Sequence, residues 1–218
     1  MIARHSHRLL AGLVLCFLMA AQALAQQAGR DYFDIVPPQP GGAKGRIEVT
    51  EYFSFGCSHC KDLEPHLQAW RATLPADVVV VRVPVGFGRA EWAELARLYL
   101  TLDAMGLAEK LLVPIYSAVQ VQKVNLADEK TRAAWLAKHG VDTKKFSQVS
   151  RSFVVAGQWR LAEERAVAHQ VESVPLIVVN GRYVMNGAVP PRQLFANTDL
   201  VIARARAEAP DPPAILSR

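Results

Sequence analysis

Two cysteines separated by two residues are the feature of this sequence most clearly suited to chemistry. Cys57 and Cys60 flank Ser58 and His59, and this spacing lets two thiols form and break a disulfide bond. A C-x-x-C pair is also half of a zinc site, but the sequence has no second C-x-x-C and no H-x-x-x-H, and structural zinc normally takes four ligands. The spacing favours thiol redox chemistry, and we expect neither a metal nor another cofactor.

The residues around the pair predict a strand that runs into a helix. Residues 47–55 are rich in β-branched and aromatic side chains, which favours a strand that ends at Gly56. Downstream, apolar residues recur at helical spacing; they are Leu63, Leu67, Trp70 and Leu74. Cys57 is therefore expected at a helix N-terminus, where free backbone N–H groups and the helix dipole lower the pKa of a thiol.

The first 25 residues have the pattern of a secretory signal peptide. Arg4 and Arg8 precede an apolar run over residues 9–21, and Ala23-Leu24-Ala25 offers a small-residue cleavage site. The run is shorter than the roughly 20 residues of a membrane-spanning helix, although an uncleaved anchor is the alternative. We expect cleavage of residues 1–25 and export of the mature chain.

Charge and cysteine usage narrow the function further. The net charge of the full chain is +5, with no dense Lys/Arg cluster, so no nucleic-acid partner is expected. Cys16 lies in the predicted signal peptide, which leaves Cys57 and Cys60 as the cysteines of the mature chain. A bridge over so short a loop removes little entropy from the unfolded chain. A purely structural disulfide is thus the less favoured interpretation.

The remaining chain, residues 26–218, predicts a single domain. A buried strand over residues 78–83 completes a βαβ unit, and residues 174–179 and 182–185 form a hairpin around Asn180-Gly181. A short edge strand is expected within residues 31–36, and a last helix from about 190 to 209. This order of elements is typical of an α/β thioredoxin-like fold.

Helix-forming residues dominate a segment from about 88 to 170, which we interpret as an inserted helical subdomain. Asp128 and Asp142 are predicted helix N-caps, and Gly140 a helix stop. A helix with a kink or restart at Pro114 is expected before them. The helix after Asp142 is predicted to bury one apolar face, and Trp92 and Trp135 are predicted core residues. That face consists of Phe146, Val149, Phe153 and Val154.

Several segments resemble one family. Residues 53–60, Phe-Ser-Phe-Gly-Cys-Ser-His-Cys, ahead of an amphipathic helix resemble the active-site segment of the DsbA family of periplasmic thiol:disulfide oxidoreductases. Residues 113–116, residues 152–155, and Val174-Pro175 with residues 179–183 resemble this family too. The resemblance therefore extends over most of the predicted mature chain.

The motif suggests a role for each of its residues. Cys57, nearest the helix start, is the predicted nucleophile, and Cys60 the thiol that releases trapped mixed disulfides. His59 is expected to stabilise the Cys57 thiolate as a hydrogen-bond donor or partial cation, and the Cys-x-His-Cys pattern of DsbA-like oxidants supports this. Ser58 departs from the proline common at that position, which affects the expected redox potential.

Two further site residues come from the resemblance. In the thioredoxin-like superfamily the proline that matches Pro175 is cis and faces the cysteine pair, and the backbone of its predecessor pairs with the bound substrate chain. The resemblance thus implies a cis Pro175 and a peptide-binding Val174. A strand-initial proline can otherwise be a simple edge-strand residue.

Glu51 lies six residues before Cys57, in a strand expected to be buried on both faces. A buried carboxylate without a partner is costly, so it needs a reason. Either Glu51 points to the sheet edge, or it is the buried acid that this family places under the active site for proton transfer. Arg82 on the neighbouring strand is its nearest candidate partner.

The resemblance implies a monomeric dithiol oxidase that donates its Cys57–Cys60 disulfide to newly exported cysteine-containing proteins. Reoxidation would come from a DsbB-like membrane protein. A reductase or isomerase on the same fold is the first alternative, although isomerases of this type usually carry an extra N-terminal dimerisation domain. A peptide-binding chaperone module with a structural disulfide is the second.

Overall fold

A five-stranded mixed sheet forms the centre of the protein, whose computed structural model describes residues 28–41 and 45–208. The predicted signal peptide, residues 1–25, lies outside these ranges. The strand order is β1-β5-β4-β2-β3, with β2 and β3 parallel and the other neighbours antiparallel. The strands are β1 (Tyr32–Asp34), β2 (Ile47–Phe53), β3 (Val78–Pro84), β4 (Leu176–Val179) and β5 (Tyr183–Met185).

Helices cover both faces of this sheet. In chain order they are α1 (Ser58–Arg71), α2 (Ala90–Ala104), α3 (Ala108–Tyr116), α4 (Glu129–Lys138), α5 (Thr143–Ser150), α6 (Phe153–Ala168) and α7 (Pro191–Glu208). A π-helical turn, Ser117–Val121, extends α3. Helices α2 to α6 form the predicted insertion, so the thioredoxin-like fold with a helical subdomain is confirmed.

Alternation along the strands divides the core into two parts. Ile47 and Val49 of β2 pack with α1 and α7, where Trp70 stacks on Phe195 with ring centroids 4.9 Å apart. Tyr52 belongs to the second part, which lies against the insertion. Strand β2 is therefore covered on both faces, which explains why six of its seven residues are buried.

The predicted helix boundaries in the insertion are mostly confirmed. Asp128 and Asp142 each accept a hydrogen bond from a backbone N–H in the first turn of the next helix, and Gly140 has a positive φ of 75° after α4. Pro114 lies within α3 and does not restart it. Trp135 is buried as predicted, whereas Trp92 is only half-buried.

The predicted apolar face after Asp142 is wrong in its second half. Phe146 is buried, but Phe153 and Val154 are 98% and 61% exposed. The helix ends at Ser150 and a new one begins at Phe153, because the Ser152 side chain accepts a hydrogen bond from the Val155 N–H. The cap changes the direction of the chain and thereby the face that residues 153 and 154 occupy.

Within the described part of the chain, no helix combines the length and the apolar character needed to cross a membrane.

Candidate active site

Cys57 and Cys60 lie at the first turn of α1 and are both free thiols. Cys57 is the N-cap residue, and its N–H donates to the Ser54 carbonyl at 3.0 Å. No side chain caps this helix end, so Ser58 does not act as the cap. Cys57 is 9% exposed, whereas Cys60, one turn further along, is fully buried. An incoming sulfur can therefore reach Cys57 only.

The surroundings drive the pKa values of the two thiols apart. The pKa of Cys57 falls to about 6, mainly because the Cys60 thiol donates a hydrogen bond to it, with help from the backbone N–H groups of Cys60 and His59 and the charge of His59. Burial raises the pKa of Cys60 above its ordinary value, and the neighbouring Cys57 raises it further. Cys57 is thus the thiolate of the pair at neutral pH.

The loop that leads into β4 faces Cys57. The Val174–Pro175 peptide bond is cis, and Cys57 Sγ lies 3.3 Å from the Val174 carbonyl oxygen, to which it can donate a hydrogen bond only in its protonated form. The structure therefore brings together the two parts of the predicted site that are most distant in sequence. The backbone of Val174 lies beside the reactive sulfur, where it could pair with an extended polypeptide.

Glu51 is fully buried on β2, which lies between β4 and β3, so its predicted alternative placement at the sheet edge is wrong. Arg82 is its register partner on β3, and the Arg82 Nε atom lies 3.1 Å from Glu51 Oε2, which confirms the predicted pair. Arg82 also donates from Nη2 to Glu64 Oε1 at 2.9 Å. The Arg82 guanidinium thus forms ion pairs with two buried carboxylates.

Glu51 has a raised pKa although it is paired with Arg82. Burial raises the pKa of Glu51 to about 7; the charge of Arg82 opposes this rise, and that of Glu64 adds to it. The charge of Glu51 in turn contributes to the raised pKa of Cys60, which places the carboxylate in the electrostatic environment of the buried thiol. Sequence reasoning missed Glu64, although it follows Cys60 by four residues and so shares its helix face.

A groove of about 690 Å³ opens beside the cysteines. His59, Asp62 and His66 line it from α1, and Val174 and Pro175 line it from the cis-proline loop. His59 is exposed at this border. The apolar lining of the groove includes Met185 and Leu194. Phe53 and Phe55 belong to the core instead. The groove is a surface on which an unfolded chain could lie next to Cys57.

The insertion holds the active-site loop through two side chains that sequence reasoning did not assign to the site. The Gln120 amide, on the π-helical turn, donates to the Phe55 carbonyl at 2.6 Å. The Trp92 indole lies against Gly56, and Arg89 stacks on its ring at 4.8 Å. Both contacts join residues more than 30 positions apart, so no local pattern could reveal them.

No group of three or more His, Cys, Asp or Glu side chains within residues 28–41 and 45–208 is arranged to hold a metal ion.

Comparison with known proteins identifies relatives of the whole domain. The profile of the DSBA-like thioredoxin domain matches residues 48–197. The thiol:disulfide interchange protein DsbA of Pseudomonas aeruginosa is 38% identical over 195 residues, which cover 88% of this chain and 92% of that protein. The DsbA of Azotobacter vinelandii is 37% identical over 180 residues, 82% of this chain and 84% of that protein.

Solved structures give the same result. The crystal structure of Pseudomonas aeruginosa DsbA superposes with a TM-score of 0.79 at 36% identity and covers 84% of this chain and 95% of that chain. The oxidoreductase DsbA of Xylella fastidiosa has a TM-score of 0.78 at 31% identity and covers 84% of this chain and 98% of that chain. The similarity thus includes the sheet and the insertion.

Proposed function

The chain belongs to the DSBA-like thioredoxin domain family and is a thiol:disulfide oxidoreductase, a dithiol oxidase, in which we propose that Cys57 and Cys60 are the redox-active pair. Its disulfide is donated to newly exported, cysteine-containing proteins of the periplasm. The observation that carries this proposal is the pair of thiols at the start of α1, with Cys57 3.3 Å from the Val174 carbonyl and Cys60 fully buried.

Oxidation of a substrate begins with attack by a substrate thiolate on Cys57 Sγ of the oxidised protein. A mixed disulfide forms, the Cys57–Cys60 bond breaks, and its electron pair goes to Cys60. A second substrate thiolate then attacks the substrate sulfur of the mixed disulfide and releases Cys57. The substrate loses two electrons and gains a disulfide, and the protein gains both electrons as a dithiol.

The two pKa shifts favour this direction. Cys57 leaves as a thiolate, because its pKa is lowered to about 6. The thiolate is stabilised only in the reduced protein, so reduction of the protein is favourable. Cys60 needs a proton when it leaves, because burial raises its pKa. Glu51, with a pKa raised to about 7, is our proposed proton donor in this step and acceptor in the reverse step.

The other predicted site residues stabilise the thiolate or bind the substrate chain. We assign stabilisation of the Cys57 thiolate to His59, and we assign pairing with the extended substrate backbone to Val174, next to the cis Pro175. A DsbB-type membrane protein reoxidises members of this family, and a relative of it is the expected partner here. The protein is expected to work as a monomer.

The equilibrium of the Cys57–Cys60 pair with a glutathione buffer tests the oxidase function. We expect a potential well above the roughly −270 mV of thioredoxin, less negative than about −200 mV. A value near that of thioredoxin would reject the oxidase and support a reductase on the same fold. Quantification of thiols by mass after acid quench and alkylation gives the ratio directly.

A further inference from the structure

The cis-proline loop, residues 170–175, borders two cavities. Its second half, together with the start of β4, lines the groove described above. Its first half, residues 170–172, lines a second cleft of about 320 Å³. The other walls of this cleft are the loop after β3, residues 85–88, and the C-terminal part of α6. A chain bound along the loop would therefore meet the groove at one end and this cleft at the other.

The second cleft combines an apolar lining with a negative rim. Its lining includes Val85, Val171 and the 79% exposed Val167. Glu163 and Glu172 are its charged residues, and both are exposed. Neither carboxylate has an ion-pair or hydrogen-bond partner among the described residues, unlike the neighbouring Glu164, which pairs with Arg160. No Lys, Arg or His lines the cleft.

We propose that this cleft is a substrate subsite for a lysine or arginine side chain located a few residues from the reactive cysteine of the exported protein. The alkyl stem packs on the apolar lining, and the cationic group lies between Glu163 and Glu172. This subsite rests on the proposed function, because it requires the substrate chain to pair with the cis-proline loop.

The distances along the loop support this placement. Val174 lies at the reactive sulfur, and Glu172 is two residues before it. An extended chain advances about 3.3 Å per residue, so two or three residues of a paired substrate extend from Cys57 to the cleft. The preference therefore applies to residues on one side of the substrate cysteine.

Rates of oxidation of synthetic dithiol peptides test the subsite. Two peptide series carry Lys, Glu or norleucine at the second and third positions either before or after the attacking cysteine. The oxidised protein, purified from cells that express the full chain, is mixed with each peptide at low salt, and the reaction is followed by quenched-flow mass spectrometry. In one series we expect the Lys peptide to react about five to ten times faster than the Glu peptide, with the difference reduced at high salt.

Matched variants assign this preference to the cleft. Glu163→Gln and Glu172→Gln should each reduce it, and the double variant should bring it below about twofold. Glu164→Gln removes one charge from the same helix outside the cleft and should keep it. Asp62→Asn tests the competing carboxylate of the groove: loss of the preference in this variant alone would place its origin in the groove and reject the subsite.

The outcomes separate the subsite from the function on which it rests. If the norleucine peptides are not oxidised, the proposed function fails. If they are oxidised, but the Lys and Glu peptides react equally in both series, the function stands and the subsite is rejected. A preference that persists in the Glu163→Gln, Glu172→Gln double variant rejects it as well.

Discussion

The Trp92 indole occupies the space that a side chain at Gly56 would need. A Cβ atom built on Gly56 would lie 2.8 Å from Cε2 and 2.9 Å from Cδ1 of the indole, well inside van der Waals contact. Arg89 and Phe87 pack on the same indole from the loop after β3. The residue before the reactive cysteine is thus glycine because the insertion closes over it.

Gly56→Ala should destabilise the protein by about 1–3 kcal/mol, because the methyl group overpacks this contact. Urea unfolding of the reduced protein measures the change. In a Trp92→Ala background the same substitution should cost less, and this coupling is the diagnostic result. Gly157→Ala is the matched control, since nothing lies within 4 Å of its Cβ position in α6; it should stabilise by about 0.5–1 kcal/mol. Equal effects of Gly56→Ala in both backgrounds would contradict the contact.

His59→Ala should raise the pKa of Cys57 from its value of about 6, because the charge of His59 favours the thiolate. The pH dependence of iodoacetamide alkylation, read by mass, gives this pKa. In the native protein only Cys57 should react, and Cys60 should react after denaturation. His66→Ala is the control, since His66 lines the groove but is not among the main causes of the lowered Cys57 pKa. Identical titration midpoints in wild type and His59→Ala would remove the proposed role.

Glu51→Gln should change how stability depends on pH. The pKa of Glu51 is about 7 in the folded protein and about 4.3 when unfolded, so the folded state holds the proton more tightly. The wild type therefore loses stability as pH rises from about 4.5 to about 7. The variant lacks this loss, and its free energy of unfolding should rise relative to wild type by on the order of 3 kcal/mol across the interval.

Urea unfolding of the reduced protein at a series of pH values measures this slope. Glu164→Gln, which removes one exposed carboxylate, should run parallel to wild type. If Glu51 also supplies the proton to Cys60, Glu51→Gln should in addition slow mixed-disulfide formation below pH 7. Parallel stability curves for Glu51→Gln and wild type would show that Glu51 titrates as an ordinary carboxylate.

Gln120→Ala should loosen the active-site loop, because the Phe55 carbonyl loses its 2.6 Å hydrogen bond from the insertion. We expect a loss of about 1–2 kcal/mol in unfolding free energy and slower oxidation of a model peptide. Gln122→Ala, on an exposed residue whose amide donates to Ser117, is the control for the same substitution nearby. Equal unfolding free energies and equal oxidation rates in the two variants would show that the hydrogen bond from Gln120 to the loop does not affect function.

Local patterns in the sequence were sufficient to predict most elements. The strand before Cys57, the Asn180-Gly181 hairpin and the caps at Asp128 and Asp142 each depend on a few neighbouring residues. Arg82 was found as the partner of Glu51 because parallel strands of a βαβ unit lie side by side.

Features that depend on distant contacts could not be predicted in this way. Gln120 reaches Phe55 across 65 positions, and a glutamine in a helical sequence gives no sign of this contact. Phe153 was misplaced for a different reason: its spacing from Phe146 and Val149 suits a helix, but the cap at Ser152 starts a new one. Periodicity identifies a face only within one uninterrupted helix.

Because Cys60 is completely buried, Cys57 is the one sulfur of the pair that a partner can reach. Substrate, reoxidant and any covalent inhibitor must all be joined to the same atom, Cys57 Sγ, and must therefore occupy it one after another. Donation and recharging cannot overlap in time, so a slow partner of either kind blocks the other. A Cys60→Ala chain expressed in cells should therefore collect its partners as mixed disulfides at that one sulfur.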